Sequence, residues 1–153
     1  MIALLLALQV AAAPTPAPAA PPPPAEPAFT LEGTPFGALA KQTLPAQGCA
    51  AYLFVNAGKR TLAAVAQPTQ LRVTVDGSTL DLAAAGTSGA GDLGFAGVTE
   101  YRREGVNAVL DLTIERRKDL AQGAVVPAAT LRLDRPGMDS VVLPVAGIIG
   151  CAA

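Results

Sequence analysis

The chain has no histidine and no tryptophan, and aromatic residues make up only 4% of its 153 residues. The absence of histidine removes the commonest general acid–base group and the commonest metal ligand of proteins. The absence of tryptophan removes the largest aromatic platform on which a sugar or a base can stack. These absences count against catalytic, metal-binding and nucleic-acid-binding functions.

The sequence also lacks an excess of charge of either sign. It contains 11 lysine plus arginine residues and 12 aspartate plus glutamate residues. A chain this close to neutrality has no general electrostatic attraction for nucleic acid or for anionic lipid. We therefore expect no nucleic-acid partner, and nothing in the sequence predicts a small-molecule cofactor.

No arrangement of side chains is typical of a catalytic site. A serine or cysteine nucleophile needs a base, and without histidine only carboxylates and lysines are left for that role. Asp76, Asp81, Asp92 and Asp111 show no spacing that would pair two carboxyl groups. We predict that the protein is not an enzyme and that it has no catalytic, cofactor-binding or metal-binding residues.

The N-terminus has the pattern of an export signal. An unbroken apolar run from Ile2 to Leu8 is followed by the small residues Val10 to Ala13. This pattern predicts a signal peptide over residues 1–13 with cleavage near residue 12; the alternative is an internal apolar helix. The run is shorter than the roughly 20 residues of a membrane-spanning helix. We expect a periplasmic or secreted protein that is not an integral membrane protein once it is processed.

Residues 14–28 form a Pro/Ala-rich linker with the sequence PTPAPAAPPPPAEPA, in which eight residues are proline. Proline fixes φ and has no backbone N–H group, so this segment cannot join a helix interior or a sheet. It is typical of an extended polyproline II or disordered spacer. We expect a solvated spacer without a partner; the alternatives are a semi-rigid tether for the domain that follows and a ligand for a proline-binding groove.

From residue 29 onward, short alternating apolar runs separated by turn residues indicate an all-β domain spanning residues 29–153. The segment Leu71–Leu82 predicts a hairpin with the two-residue turn Asp76-Gly77, which places Val73 opposite Leu80. Strands are also expected over residues 50–55 and 61–66. With the two hairpins described next, the count is about eight strands, which predicts a single antiparallel β-sandwich or a small barrel.

The sequence predicts two further hairpins in the second half of the chain. A loop of Pro-Gly-Met after Arg135 would place Leu133 opposite Val141, because the shorter loop would set two aspartates against each other. The other hairpin joins residues 95–103 to residues 106–117 through Glu104-Gly105, with Tyr101 opposite Ala108. Short helical turns are predicted near residues 36–41 and at residues 119–122.

The only two cysteines lie in identical GCAA tetrapeptides, at Cys49 and Cys151. In an exported protein an isolated pair of cysteines predicts a disulfide bond. This bond would close a loop of about a hundred residues, contribute ~4–5 kcal/mol in the chain-entropy model, and fasten the final strand beside an early one. The alternatives are two buried free thiols and, less favoured without histidine, a metal site.

The glycine-rich stretch from Gly86 to Gly94 is the main candidate contact region. It contains a G-x-G-x-x-G pattern, but the dinucleotide-binding fingerprint needs a helix that begins inside the pattern. The residues that follow predict a strand instead, so we interpret the stretch as a glycine-rich loop. Its candidate contact residues are Gly86, Thr87, Ser88, Gly89, Gly91, Asp92 and Gly94.

The export leader, the small β-domain, the disulfide and the Gly/Ser stretch before a strand with tyrosine resemble periplasmic C-type lysozyme inhibitors. The resemblance covers Leu71 to Tyr101. In that family a cysteine follows shortly after a tyrosine, whereas here Cys49 precedes Tyr52, so no individual residue is carried over.

Two functions from different classes follow from these observations. The first is an exported, non-catalytic accessory or structural β-domain of the cell envelope, with an envelope protein as its possible partner. The second is a periplasmic or secreted binding or inhibitor protein that acts through residues 86–94.

Overall fold

The computed structural model describes residues 31, 33–55 and 59–152. The predicted signal peptide and Pro/Ala-rich linker lie outside these residues. None of the described residues forms a helix of the length and hydropathy needed to cross a membrane. The described strands are β1 (Phe36–Gly37), β2 (Cys49–Val55), β3 (Thr61–Gln67), β4 (Gln70–Val75), β5 (Ser78–Ser88), β6 (Val98–Arg103), β7 (Val106–Glu115), β8 (Gly123–Asp134) and β9 (Val141–Cys151).

The strands form a closed antiparallel barrel. Each strand from β2 to β9 pairs with the next one along the chain, and β9 pairs with β2 to close the cylinder. The short strand β1 is an addition to the eight-stranded barrel and pairs with β4. The all-β prediction is therefore confirmed, and the choice between sandwich and barrel is decided in favour of the barrel.

The hairpin of β4 and β5 has the predicted register. Val73 lies opposite Leu80, and Thr74 lies opposite Thr79. The two turn residues have positive φ angles, 47° at Asp76 and 79° at Gly77, as the type I′ turn requires. The alternating sequence and the Asp-Gly turn were sufficient to predict this element.

The other two hairpins are confirmed in register but not in all their bounds. Leu133 lies opposite Val141, and Tyr101 lies opposite Ala108. The prediction of a strand from Phe95 is wrong, because β6 begins at Val98 and Phe95 lies in the preceding loop with only 4% of its surface exposed. Burial of an aromatic ring in a loop gives the same apolar signal in the sequence as a strand residue.

The disulfide bond lies at the closure of the barrel. Cys49 of β2 and Cys151 of β9 are directly opposite each other in the ladder that joins the first and last barrel strands. Their sulfur atoms are 2.03 Å apart, which confirms the predicted bond. The covalent link therefore holds the two strands whose pairing turns the sheet into a barrel.

The interior of the barrel is occupied by the chain's own side chains. Leucine, valine and alanine side chains from the other barrel strands and Tyr101 from β6 form one buried cluster, which also includes Phe95. The Tyr101 hydroxyl donates a hydrogen bond of 2.8 Å to the backbone oxygen of Gln67. Eight strands enclose a space that is either filled by side chains or just large enough for one small ligand. Here the side chains fill it.

Residues 33–48, which we call the strap, lead from one end of the barrel to its outer surface. Phe36 is fully buried in the main cluster, and β1 pairs with the end of β4. The backbone N–H of Leu39 donates to the oxygen of Leu62 in β3, so the strap crosses from β4 to β3. Leu39 then packs on the outer face against Ala50 and Val65. The helical turn predicted near residues 36–41 is wrong, because Phe36 and Gly37 pair with β4 and the N–H of Leu39 bonds to β3 instead. Residues 119–122 form no helix either.

Candidate functional site

The glycine-rich stretch is divided between a strand and a loop. Gly86, Thr87 and Ser88 belong to β5, where they pair with Glu100, Thr99 and Val98 of β6. The loop therefore begins at Gly89, later than the sequence pattern indicates. The reason is that β6 offers a partner to this part of the backbone, which a local pattern of glycine and serine does not reveal.

Strand β5 lies between β6 and β4, and it is longer than β4. It has 11 residues, whereas β4 has six, and the ladder between them ends where Gln70 lies opposite Ala83. Residues 84–88 extend beyond that point, and we call them the β5 overhang. Every residue of the overhang is exposed to solvent. The candidate residues Gly86, Thr87 and Ser88 are therefore presented at the surface.

Residues 89–97 form a compact loop at the end of the barrel from which the overhang extends. Phe95 is buried in the main cluster, and its N–H donates to the oxygen of Asp92 at 2.9 Å. A Cβ atom at Gly91 would overlap the carbonyl oxygen of Phe95, so glycine is required there by close backbone packing. The candidate residues Gly89, Gly91, Asp92 and Gly94 all lie in this loop.

Asp92 joins the loop to the connection between β7 and β8. Its carboxylate accepts hydrogen bonds from Arg116, one of them at 3.0 Å, and from the backbone N–H of Leu93 at 2.7 Å. These hydrogen bonds, chiefly those from Arg116, lower the pKa of Asp92 to about 2. The carboxylate is thus ionised and paired, which suits a structural role better than proton transfer. The partnership with Arg116 was not predicted, because 24 residues separate the two side chains in the chain.

A shallow groove of about 370 Å³ runs from the overhang across the outer face of β6, β7 and β8. Two side chains of opposite charge line the groove, and each forms a salt bridge with a neighbour. Glu100 pairs with Arg102 at 2.6 Å, and Arg132 pairs with Asp134 at 3.0 Å. The groove has no unpaired charge that would select an ion. The residues that line it are Gly86, Thr87, Ser88, Val98, Glu100, Val109 and Arg132.

The other aspartates noted in the sequence do not come together. Asp81 accepts two hydrogen bonds from Arg72, of 2.7 and 2.8 Å, and these bonds lower the pKa of Asp81. Asp76 forms a salt bridge with Arg135. Asp111 lines a larger groove of about 650 Å³ beside the bulge at Pro127 and Ala128, where it is the one carboxylate. Within residues 31, 33–55 and 59–152, no three His, Cys, Asp or Glu side chains are grouped as a metal site would require.

Comparisons with models of known families, with curated proteins and with solved structures found no match to this chain.

Proposed function

We propose that this protein is an exported, non-catalytic accessory or structural module of the cell envelope, which contacts its partner through the outer surface of the barrel. The observation that carries the proposal is the filled interior. Small-molecule sites in proteins are concave and largely preformed. Since the buried side chains occupy the space inside the strands, the outer surface is where a partner would make contact.

The position of the disulfide supports export. Disulfides persist in oxidising compartments such as the periplasm and the extracellular space, and they are rare in the cytosol. The bond between Cys49 and Cys151 joins the first and last barrel strands, so the closure of the barrel benefits directly from oxidation. The predicted signal peptide and the Pro/Ala-rich linker would deliver the domain and hold it away from its attachment point.

The test is chemical crosslinking in intact cells, followed by isolation of the protein from the envelope fraction. The proposal predicts one crosslinked species of fixed stoichiometry, and no turnover by the purified protein on esterase, glycosidase or peptidase substrates. Recovery of the protein from the cytosol in reduced form would contradict it. Turnover of any of these substrates would contradict its non-catalytic part.

A second candidate is a binding or inhibitor protein that acts through residues 86–94, and the exposure of the β5 overhang favours it. A double substitution, Thr87→Glu with Ser88→Glu, places two charges on the overhang without touching the core. If residues 86–94 are the contact, this variant loses the crosslinked partner. Thr113→Glu, on an exposed position of β7, is the matched control and keeps the partner. Retention of the partner by both variants would rule out the second candidate.

A further inference from the structure

Within the described part of the chain, one edge of the β5 overhang is not paired with another strand. In an antiparallel ladder, backbone N–H and C=O groups point alternately to the two sides of a strand. One side of the overhang pairs with β6, and on the other side the last bond is the one that the Ala84 N–H donates to the oxygen of Thr69, at 2.9 Å. Beyond it, no described residue pairs with the free side of residues 85–88.

We propose that this edge pairs in antiparallel fashion with the same edge of a second copy of the chain. An open edge carries backbone donors and acceptors in the spacing of a strand, so its natural partner is another extended strand. Antiparallel pairing about a two-fold axis is self-complementary, because each copy offers the other the same row of groups. Gly86 lies at the centre of the overhang and therefore near the axis.

The side chains of the overhang favour a second copy as the occupant. Edges that must stay unpaired usually carry lysine, proline or inward-pointing charges. Residues 84–88 read AAGTS, with no charge and no proline, so two copies meet without repulsion or steric obstruction from long side chains. The charges nearest to this edge on β6, Glu100 and Arg102, neutralise each other. The chain's own residues 14–28 do not suit the edge, because their prolines lack N–H groups.

The length of the edge sets the strength of the pairing. The four residues 85–88 span about 13 Å at ~3.3 Å per residue. Such a contact buries much less than the ~1,200–2,000 Å² of a stable dimer. A β-bulge between Ala84 and Gly86 shortens the regular part further. We therefore expect a weak dimer in rapid exchange, with a Kd of roughly 0.1–1 mM.

Sedimentation velocity on the processed full-length chain tests the proposal over a concentration range from about 10 µM to about 1 mM. The sedimentation coefficient rises with concentration in the unmodified protein. Ala85→Lys alone and Ala85→Glu alone abolish the rise, because like charges then meet across the axis. An equimolar mixture of the two variants restores the rise of the sedimentation coefficient with concentration. Thr113→Lys, on an exposed position of β7 away from the edge, leaves the rise unchanged.

Amide hydrogen exchange gives a second measurement that needs no substitution. The amides of residues 85–88 that point away from β6 become protected as the concentration increases, whereas other exposed amides do not. A protein that stays monomeric over the whole range, or a dimer that Ala85→Lys leaves intact, overturns the proposal. Neither result bears on the envelope role proposed above, which crosslinking in cells tests separately.

Discussion

The two tyrosines of the chain hold their hydroxyl groups in different surroundings. Tyr101 is fully buried and donates to the oxygen of Gln67, whereas Tyr52 is half-buried on the outer face and donates to the oxygen of Thr43 at 2.8 Å. Burial raises the pKa of Tyr101 to about 12. This residue is therefore a probe of the barrel interior that can be read by titration.

The stability of the protein should fall at alkaline pH in a way that depends on Tyr101. Below pH ~10 the tyrosine is protonated in both the folded and the unfolded state, so it has no effect. Between pH ~10 and ~12 the unfolded state loses the proton first, so the free energy of unfolding falls by about 2–3 kcal/mol as the pH rises. Urea denaturation of the protein and of Tyr101→Phe across this range measures the difference. Identical pH profiles would show that Tyr101 is not buried.

The pair of Asp92 and Arg116 predicts a change in pKa. Arg116→Gln removes the largest cause of the low pKa of Asp92, so that pKa should rise from about 2 toward the ordinary value of 3.8. An NMR titration of the Asp92 carboxyl carbon measures this pKa in the unmodified protein and in each variant. Arg117→Gln is the matched control, because Arg117 pairs with Asp119 instead. A pKa of Asp92 that is the same in all three proteins would refute the pairing.

At the scale of the element, the hairpins were predictable because their information is local. The turn Asp76-Gly77 and the alternation on both sides of it determine which residues face each other in β4 and β5. The β5 overhang was not predictable from these signals, since it results from a mismatch in length between two strands. The position of Phe95 in a loop was likewise not predicted, because it depends on the open end of a barrel that no local pattern describes.

The turn itself can be tested by adding one methyl group. Gly77 has a φ angle of 79°, so Gly77→Ala should lower the free energy of unfolding by about 1–2 kcal/mol. Gly86→Ala, in strand β5 that follows the turn, is the control. A Cβ atom at Gly86 would meet only Glu100 Oε2 at 3.7 Å, an ordinary contact, so no loss of stability is expected there. Chemical denaturation of both variants measures the contrast, and equal losses would contradict the turn geometry.

At the scale of the whole molecule, the sequence predicted the class of fold, the pairing of the cysteines and the approximate number of strands. It left sandwich and barrel undecided, because that choice depends on whether the first and last strands meet. The pairing of β2 with β9 brings residues about a hundred positions apart into register, with Cys49 opposite Cys151. No local signal encodes that contact apart from the two cysteines.

Loss of the disulfide should weaken the barrel as a whole. Replacing both cysteines by serine frees a loop with a sequence separation of 102 residues, which should cost about 4–5 kcal/mol in the free energy of unfolding. Urea denaturation of the double variant measures the loss, and the reduced unmodified protein should behave similarly. A double variant as stable as the oxidised protein would show that the pairing of β2 with β9 does not depend on the disulfide bond.

Mass spectrometry of the protein isolated from cells without reductant tests its export and its disulfide closure together. For an exported, disulfide-closed barrel we expect a chain cleaved near residue 12, with a mass two hydrogens lower than that of the dithiol form. A chain that keeps its first residues and carries free thiols at Cys49 and Cys151 would contradict both the export and the closure.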